Sequence, residues 1–388
     1  MKEYDVVIVG AGLAGLQCAK LLGAHGANVL LVDRKNALDE LVHTTGIFVR
    51  CTLEDFVLPQ DCFGPVVRCI SLYSPRRRVL NLESEHDEFR IGRMGPLYKR
   101  FLQDCMNAGV VWSPSTKYIG CEPNGEGSIV NFETSSESWS VKARVVVGSD
   151  GAQSRVGRDL GLDQNSEWIV GVEEVFRGVP LSGEPRFHCF LDTKFAPGYL
   201  AWIVNDGEET HIGVGGYPEK FEPMKAMVQF RQSVENNIVD LSCAKRIEKR
   251  GGQIPVGGVL KRIANERGLL IGDAAGAVSP LTAGGLDPCL RLSAMAARVI
   301  EERLRTNDEQ MMRAYSGEMF RARFTSRLWM RRAIASIGNR ALMEMACAFL
   351  RSPLGRKFAS QVFFGRGSFP DVELVLPNKA ERLRTLGV

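Results

Sequence analysis

Tyr4-Asp-Val-Val-Ile-Val9-Gly10-Ala-Gly12-Leu-Ala-Gly15 opens the chain with an apolar run that ends on three closely spaced glycines. Such a run has the character of a parallel strand buried on both faces. From Leu13 and Ala14 onward the apolar residues recur at helical spacing, so strand, turn and helix stand in direct succession. Each glycine has its own reason: Gly10 permits the tight turn, Gly12 lets backbone N–H groups approach a pyrophosphate, and Gly15 lets the helix lie close on the strand. The anion then sits on a helix N-terminus. A second strand, Asn28-Val-Leu-Leu-Val32, leads into Asp33 and Arg34, where an acid reaches the ribose hydroxyls of a dinucleotide.

Two distant segments decide which dinucleotide this is. Arg144-Val-Val-Val-Gly-Ser-Asp150-Gly151-Ala-Gln-Ser154-Arg155 is an apolar strand ending in an acid, a glycine turn and a basic helix start. Gly268-Leu-Leu-Ile-Gly272-Asp273-Ala-Ala-Gly276 is another, its acid at the start of a further helix. With the opening, they resemble the GxGxxG, DG and GD fingerprints of the flavoprotein monooxygenase and reductase superfamily, in the same order. The resemblance implies FAD as resident cofactor in an α/β fold of the p-hydroxybenzoate hydroxylase and glutathione reductase type. That fold has a Rossmann-like FAD-binding domain, an inserted antiparallel sheet and, here, a C-terminal helical region. It implies further that Asp273 holds the ribitol chain, that Pro280 to Leu286 pass beside the isoalloxazine, and that Gly284 and Gly285 present N–H groups to its N1–O2 edge. Arg93, opening a helix over residues 95–108, matches the arginine that this superfamily places near the FAD phosphates or flavin.

Composition narrows the setting. With 388 residues, 45% hydrophobic and 24% charged, the chain can bury more than one core. Its ten cysteines are scattered with no CxxC, which argues against a metal centre or a disulfide framework and for a reducing, cytoplasmic setting. The N-terminus enters a strand at once, leaving no room for a signal peptide, and no apolar run approaches the ~20 residues that span a bilayer. Residues 311–388 carry 14 Lys and Arg against 5 Asp and Glu, whereas the rest of the chain is net negative. No aromatic-basic recognition module accompanies the surplus, so nucleic acid is not an expected partner. Between Phe320 and Leu350, arginines interleave with Phe324, Leu328, Trp329, Met330, Met345 and Phe349, a pattern that suits either a peripheral membrane face or a helical pair packed on the flavin domain.

Because the FAD signals are spread over three-quarters of the chain, the nucleotide lobe is discontinuous. Its pieces are expected at 1–70, 93–165 and 253–310. Inserts at 71–92 and 166–252, with period-two alternation and turn signals such as Asn205-Asp-Gly207, are expected to form an antiparallel sheet over the flavin. Only one complete GxGxxG occurs, so NAD(P)H visits transiently or an external electron-donor protein supplies the reducing equivalents.

Within the superfamily, three segments resemble the geranylgeranyl reductase family, which reduces isolated prenyl double bonds. Val42-His43-Thr44-Thr45-Gly46-Ile47 stands where that family has a glycine-containing segment near the flavin. Pro197-Gly198-Tyr199-Leu-Ala-Trp202-Ile203-Val204, with His211-Ile-Gly213-Val-Gly215, resembles its PxxYxWxFP and NxGxG strands. Pro280-Leu-Thr282-Ala-Gly284-Gly285-Leu286 resembles its PxxxGGI loop. The chain departs from the family in carrying Thr45-Gly46 where some members have Cys-Gly, in the Tyr199 to Trp202 spacing, and in ending the roof strand on Asn205. The resemblance implies a lipophilic prenyl substrate. Tyr199 and Trp202 would position it, although residues three apart face opposite sides of a regular strand and reach one pocket only if the chain bends. His43 is the candidate proton donor and Thr45 a shaping residue. A flavin-dependent hydroxylase shares every FAD fingerprint and is the rival reading; a non-catalytic, membrane-associated flavoprotein is a third.

Overall fold

The computed structural model describes residues 1–40, 42–180, 183–235 and 237–365. The opening strand Lys2–Val9 lies at the centre of a parallel sheet, between Val29–Val32 on one side and Ser138–Gly148 on the other. Val111–Ser113 extends the sheet beyond Val29–Val32, and Gly268–Leu270 extends it beyond Ser138–Gly148. Val6, Val7, Ile8 and the whole of Val29–Val32 are buried, as two-sided coverage by helices requires. One cover is the helix Leu13–Ala24, packed against Leu286–Thr306 and Met94–Asn107. A polar hairpin, Lys117–Asn124 and Gly127–Glu133, pairs antiparallel with the long strand Ser138–Gly148.

A second sheet of seven strands roofs the first lobe. Its order is Lys245–Pro255, Trp168–Arg177, Glu209–Gly216, Ala201–Asn205, Arg186–Phe190, Cys69–Tyr73 and Val79–Glu83. Five of its six pairings are antiparallel; Arg186–Phe190 runs parallel to Cys69–Tyr73, because those strands come from two separate inserts and no hairpin joins them. The roof also extends to Pro255, three residues into the stretch expected to belong to the nucleotide lobe. Its outer face packs on the amphipathic helix Pro223–Val234 through Met227, Phe230 and Val234. A small sheet of Ile47–Val49, Phe89–Gly92 and Phe63–Val67 joins the two lobes.

Beyond residue 316 the chain is helical: Gly317–Arg323, Thr325–Ser336, Arg340–Leu350 and Pro353–Phe364. The basic region expected at 311–388 is therefore helical as far as Phe364, and its part beyond residue 365 lies outside the described residues. Among the described residues no helix is long and apolar enough to cross a membrane.

Candidate functional site

A continuous cavity of about 1240 Å³ runs between the lobes. Its nucleotide end is built from the opening motif. Gly10 adopts φ +102°, and a Cβ there would stand 2.2 Å from the Ser149 carbonyl oxygen. Gly15 packs onto the Gly10 carbonyl and does not itself line the cavity, whereas Gly10, Gly12, Leu13 and Ala14 do. Beyond Gly12 there is open space where a side chain would point. The helix that starts at Leu13 has neither a side-chain cap nor an acid in its first turn, so among the described residues no side chain caps the N–H groups at its start, beside the cavity that Leu13 and Ala14 line. Asp33 ends the second strand and accepts hydrogen bonds from the N–H groups of Ala11 (2.7 Å) and Lys35 (2.8 Å), which fixes its carboxylate at the groove wall next to the exposed Arg34.

At the other end of the cradle, Gly272 and Asp273 line the cavity. Burial pushes the Asp273 carboxyl up to about 6, and no basic side chain offsets it. The loop after it turns through Ala283 at φ +53° and delivers Gly284, Gly285 and Leu286 to the cavity. There the helix Leu286–Thr306 begins, again without a side-chain cap from its N-cap residue, Gly285. Pro280 in the same loop is buried and is not among the lining residues. Asp150 and Gly151 line the cavity, but the Asp150 carboxylate is occupied in capping a short helix: it accepts from Ser154 Oγ and from the N–H groups of Arg155 and Val156.

Arg93 is a correction. Its guanidinium turns away from the cavity to pair with Glu208 and to donate to the Asp61 carbonyl, so it ties the roof to the small sheet and does not reach the cradle. Of the cations that line the cavity, Arg34 was expected, whereas Arg250, Arg327 and Arg331 were not among the expected site residues. Arg327 donates to Ser279 Oγ at 2.9 Å. Arg331 is buried with its guanidinium over the rings of Tyr199 and Tyr217, 5.2 and 5.1 Å from their centroids.

Tyr199 and Trp202 meet in the cavity after all, because the roof strand begins only at Ala201 and Gly198, at φ +73°, bends the chain before it. Their rings are edge-to-face at 6.5 Å, and the Tyr199 hydroxyl donates to the Thr282 carbonyl. The Trp202 indole lies flat on Gly213, where a Cβ would come within 2.2 Å of the ring. His43 is exposed on the wall; desolvation in the groove lowers its pKa, helped by the charges of Lys35 and Arg34. A histidine so placed holds its proton weakly at neutral pH.

Directly beneath Thr45 lies a buried ionic cluster, most of it outside the expected site. Glu173 accepts from Thr45 Oγ1 (2.5 Å), Trp202 Nε1 (2.9 Å), His211 Nδ1 (3.1 Å) and Arg250 Nη1 (3.5 Å). His211 is held on its other nitrogen by Asp206 at 3.4 Å. Burial alone would raise the pKa of Glu173 and lower that of His211. The attraction between the two, with their hydrogen bonds, wins in both cases, so Glu173 lies below its ordinary value and His211 rises to about 9. Arg250 also donates to the Thr44 carbonyl, so the cluster fixes the segment 43–46 against the roof. The neighbouring Glu174 faces the opposite side of the sheet, where it pairs with Arg231 and Arg246.

The far limb of the cavity is apolar, walled by Leu72, Phe89, Phe187, Leu350, Phe358 and Phe363. It ends among the C-terminal helices, whose outer surface exposes Trp329 (65%), Met345 (69%) and Leu354 (70%).

Uncapped helix starts, a glycine wall and an acid at the tip of the second strand together fit the phosphates and ribose of a dinucleotide. Fold and groove thus define a flavoprotein with one dinucleotide site and a second, apolar compartment. Residues 3–54 and 97–330 match the model of the FAD binding domain family, and the chain belongs to that family. It is an FAD-dependent oxidoreductase. It is similar to a digeranylgeranylglycerophospholipid reductase of Methanocaldococcus jannaschii, with 27% identity over 80% of this chain and 81% of the relative. It is also similar to digeranylgeranylglycerophospholipid reductase 1 of Methanopyrus kandleri, with 29% identity over 79% and 82%. Among solved structures, a geranylgeranyl bacteriochlorophyll reductase-like protein of Thermoplasma acidophilum superposes with a TM-score of 0.82 at 20% identity, covering 95% of this chain and 98% of that one. A p-nitrophenol 4-monooxygenase of Pseudomonas putida superposes with a TM-score of 0.72 at 15% identity, covering 94% and 99%. These two likenesses establish the shared fold.

One consequence concerns the cradle. Asp273→Ala removes the acid between the strand Gly268–Leu270 and the loop that carries Gly284 and Gly285, and the protein is expected to purify with at least tenfold weaker FAD retention. Flavin absorbance per mole of protein after gel filtration measures this; a fully loaded yellow variant would contradict the placement.

Proposed function

We propose that the chain reduces carbon–carbon double bonds in the prenyl chains of a lipid. The observation that carries this reading is the continuity of the cavity: a dinucleotide cradle leads without interruption into an apolar limb walled by aromatic and aliphatic side chains. FAD, held by the Gly10–Gly15 cradle, Asp33, Asp273 and the Gly284–Gly285 loop, supplies a hydride when reduced. NAD(P)H or an electron-donor protein delivers the reducing equivalents. An isolated alkene is a poor hydride acceptor, so the chain's task is to hold it in line and keep water out. Phe187, Phe89 and Leu72 provide dry walls, and Tyr199 and Trp202, fixed by hydrogen bonds to Thr282 and Glu173, give the cavity a rigid edge. The names of the relatives support a prenyl lipid as the substrate class.

The exposed Trp329, Met345 and Leu354 lie on the C-terminal helices near the apolar limb, and in this reading they rest on a bilayer surface from which the lipid enters. Anaerobic incubation of the photoreduced protein with vesicles of a geranylgeranyl-chain phospholipid is expected to reoxidise the flavin and add two hydrogens per double bond, read by mass spectrometry. In the same experiment Trp329→Ser with Leu354→Ser is expected to lower vesicle co-sedimentation severalfold with flavin content unchanged. An untouched lipid, with oxygenated product formed from an aromatic compound in air, would favour the hydroxylase instead.

A further inference from the structure

We infer that the hydrogen-bonded chain from His211 through Glu173 to Thr45 conducts protons into the cavity and supplies the proton that saturation of a double bond consumes. The inference rests on the proposed reduction for its final acceptor; the path itself rests on geometry. Its inner end is Thr45, which lines the cavity. The outer end is Asp206, in the turn before Glu209, whose neighbours Gly207 and Glu208 are exposed. Between them every link is made by a different atom: Thr45 Oγ1 on Glu173 Oε2, His211 Nδ1 on Glu173 Oε1, and Asp206 on His211 Nε2. One carboxylate thus bridges hydroxyl and imidazole with its two oxygens, the arrangement in which a proton taken up on one oxygen is released from the other.

The charged groups facing this path keep it loaded. Glu173 and Asp206 flank His211, and Arg250 faces Glu173 while pairing with Glu248. Two carboxylates around one imidazole hold it protonated at neutral pH, with a pKa of about 9. His43, the histidine on the cavity wall, is shifted the other way. Saturating a double bond adds one hydride and one proton. Both electrons come with the hydride of reduced FAD. The Thr45 O–H bond breaks as the second C–H bond forms; the ionised Glu173 then takes the Nδ1 proton of His211 and its carboxyl hands that proton to Thr45 Oγ1. The balance is one proton lost from the imidazolium and FAD left oxidised; water at the Asp206 turn restores the proton between turnovers. Glu173, which lines the cavity beside Thr45, and His211, which does not, are the supply residues, and Thr45 is the donor.

The test uses the full-length, FAD-loaded protein and has two readouts. By NMR, with His211→Gln for assignment, one imidazole is expected to titrate near pH 9. Glu173→Gln should lower that pKa, leaving Asp206 as its remaining anionic partner, and Thr45→Val should raise it, since the carboxylate loses a donor. In the kinetic readout, reoxidation of photoreduced protein by vesicles of the same geranylgeranyl-chain phospholipid should be independent of pH up to about 9 and fall above it. Thr45→Val should slow it about 100-fold, with Thr45→Ser restoring it to within about threefold. Because Thr45→Val also removes the hydrogen bond that pins residues 43–46, the discriminating readout is the pH profile: a pinning role leaves the fall above pH 9 in place in the variant, whereas loss of the donor abolishes it. The inference is overturned if no histidine titrates above about 8, or if Thr45→Val reduces the lipid at the wild-type rate with the same pH profile. Should the coupled titration appear while no lipid reoxidises the wild-type flavin, the prenyl substrate fails and the proton path is upheld.

Discussion

Gly10→Ala is expected to yield a protein that is destabilised by about 2–6 kcal/mol and carries no FAD. Two costs coincide at this position. The backbone holds φ +102°, a region that an alanine enters only with strain, and the added methyl would overlap the Ser149 carbonyl at 2.2 Å. Neither side can yield. The Gly10 N–H is bonded to the Val32 carbonyl, and Ser149 donates its N–H to the Val9 carbonyl, so both backbones are fixed by the parallel ladder between Lys2–Val9 and its neighbours. With total stabilities of about 5–15 kcal/mol for ordinary domains, the loss is a large fraction of the whole. Gly12→Ala is the control. Nothing stands within 4 Å of its Cβ, so thermal stability should stay near the wild type while flavin retention falls, because the methyl occupies the cavity side of the cradle. Equal melting temperatures for Gly10→Ala and wild type, or a yellow Gly10→Ala protein, would refute the account.

Glu173→Leu carries the second large effect. It removes the anion that faces His211, Arg250, Trp202 and Thr45 at once and leaves the buried His211 and the partly buried Arg250 without that partner. Breaking a buried pair in this way costs about 3–5 kcal/mol. The sign of the pH dependence follows from His211, whose pKa is raised to about 9 in the folded state from about 6.5 unfolded. Its stabilisation is fully present below the unfolded value and is lost as pH climbs through 9, a span worth about 3 kcal/mol. Wild-type protein should therefore lose denaturation midpoint between pH 7 and pH 10, whereas Glu173→Leu, already lacking the pair, should show a flatter profile. A wild-type midpoint that is flat or rising across that range would refute the assigned charge state.

Much of the nucleotide lobe was legible because its signals are local. A strand that runs into glycines and a helix carries its meaning in consecutive residues, and the acids at positions 33, 150 and 273 sit at strand ends where the reading needs no partner. Even so, Asp150 turned out to be engaged as a helix cap, which its spacing to Ser154 and Arg155 is compatible with. Arg93 was misplaced because its direction is set by Glu208, 115 positions away, on a roof turn that no local pattern links to it. The ionic cluster escaped for the same reason: Glu173 meets Thr45 across 128 residues and His211 across 38. A faint signal exists in Gly171-Val-Glu-Glu-Val-Phe176, where two adjacent acids interrupt an apolar strand and one of them must point inward. Tyr199 and Trp202 illustrate the converse, since their shared pocket depends on a bend at Gly198 that converts an unfavourable spacing into a workable one.

The order in which strands enter the sheets bears on how this chain is made. Lys2–Val9 waits for Ser138–Gly148 on one side, and that strand waits for Gly268–Leu270, while Cys69–Tyr73 stays unpaired on its inner flank until Arg186–Phe190 has been synthesised. Neither large sheet is complete within the N-terminal or the C-terminal half of the polypeptide, so nascent chains shorter than about 270 residues expose open strand edges on the ribosome. Ribosome-bound chains stalled before Gly268 should accordingly be protease-sensitive and chaperone-dependent, and truncation of the gene anywhere upstream of that strand yields aggregate in place of a smaller working domain.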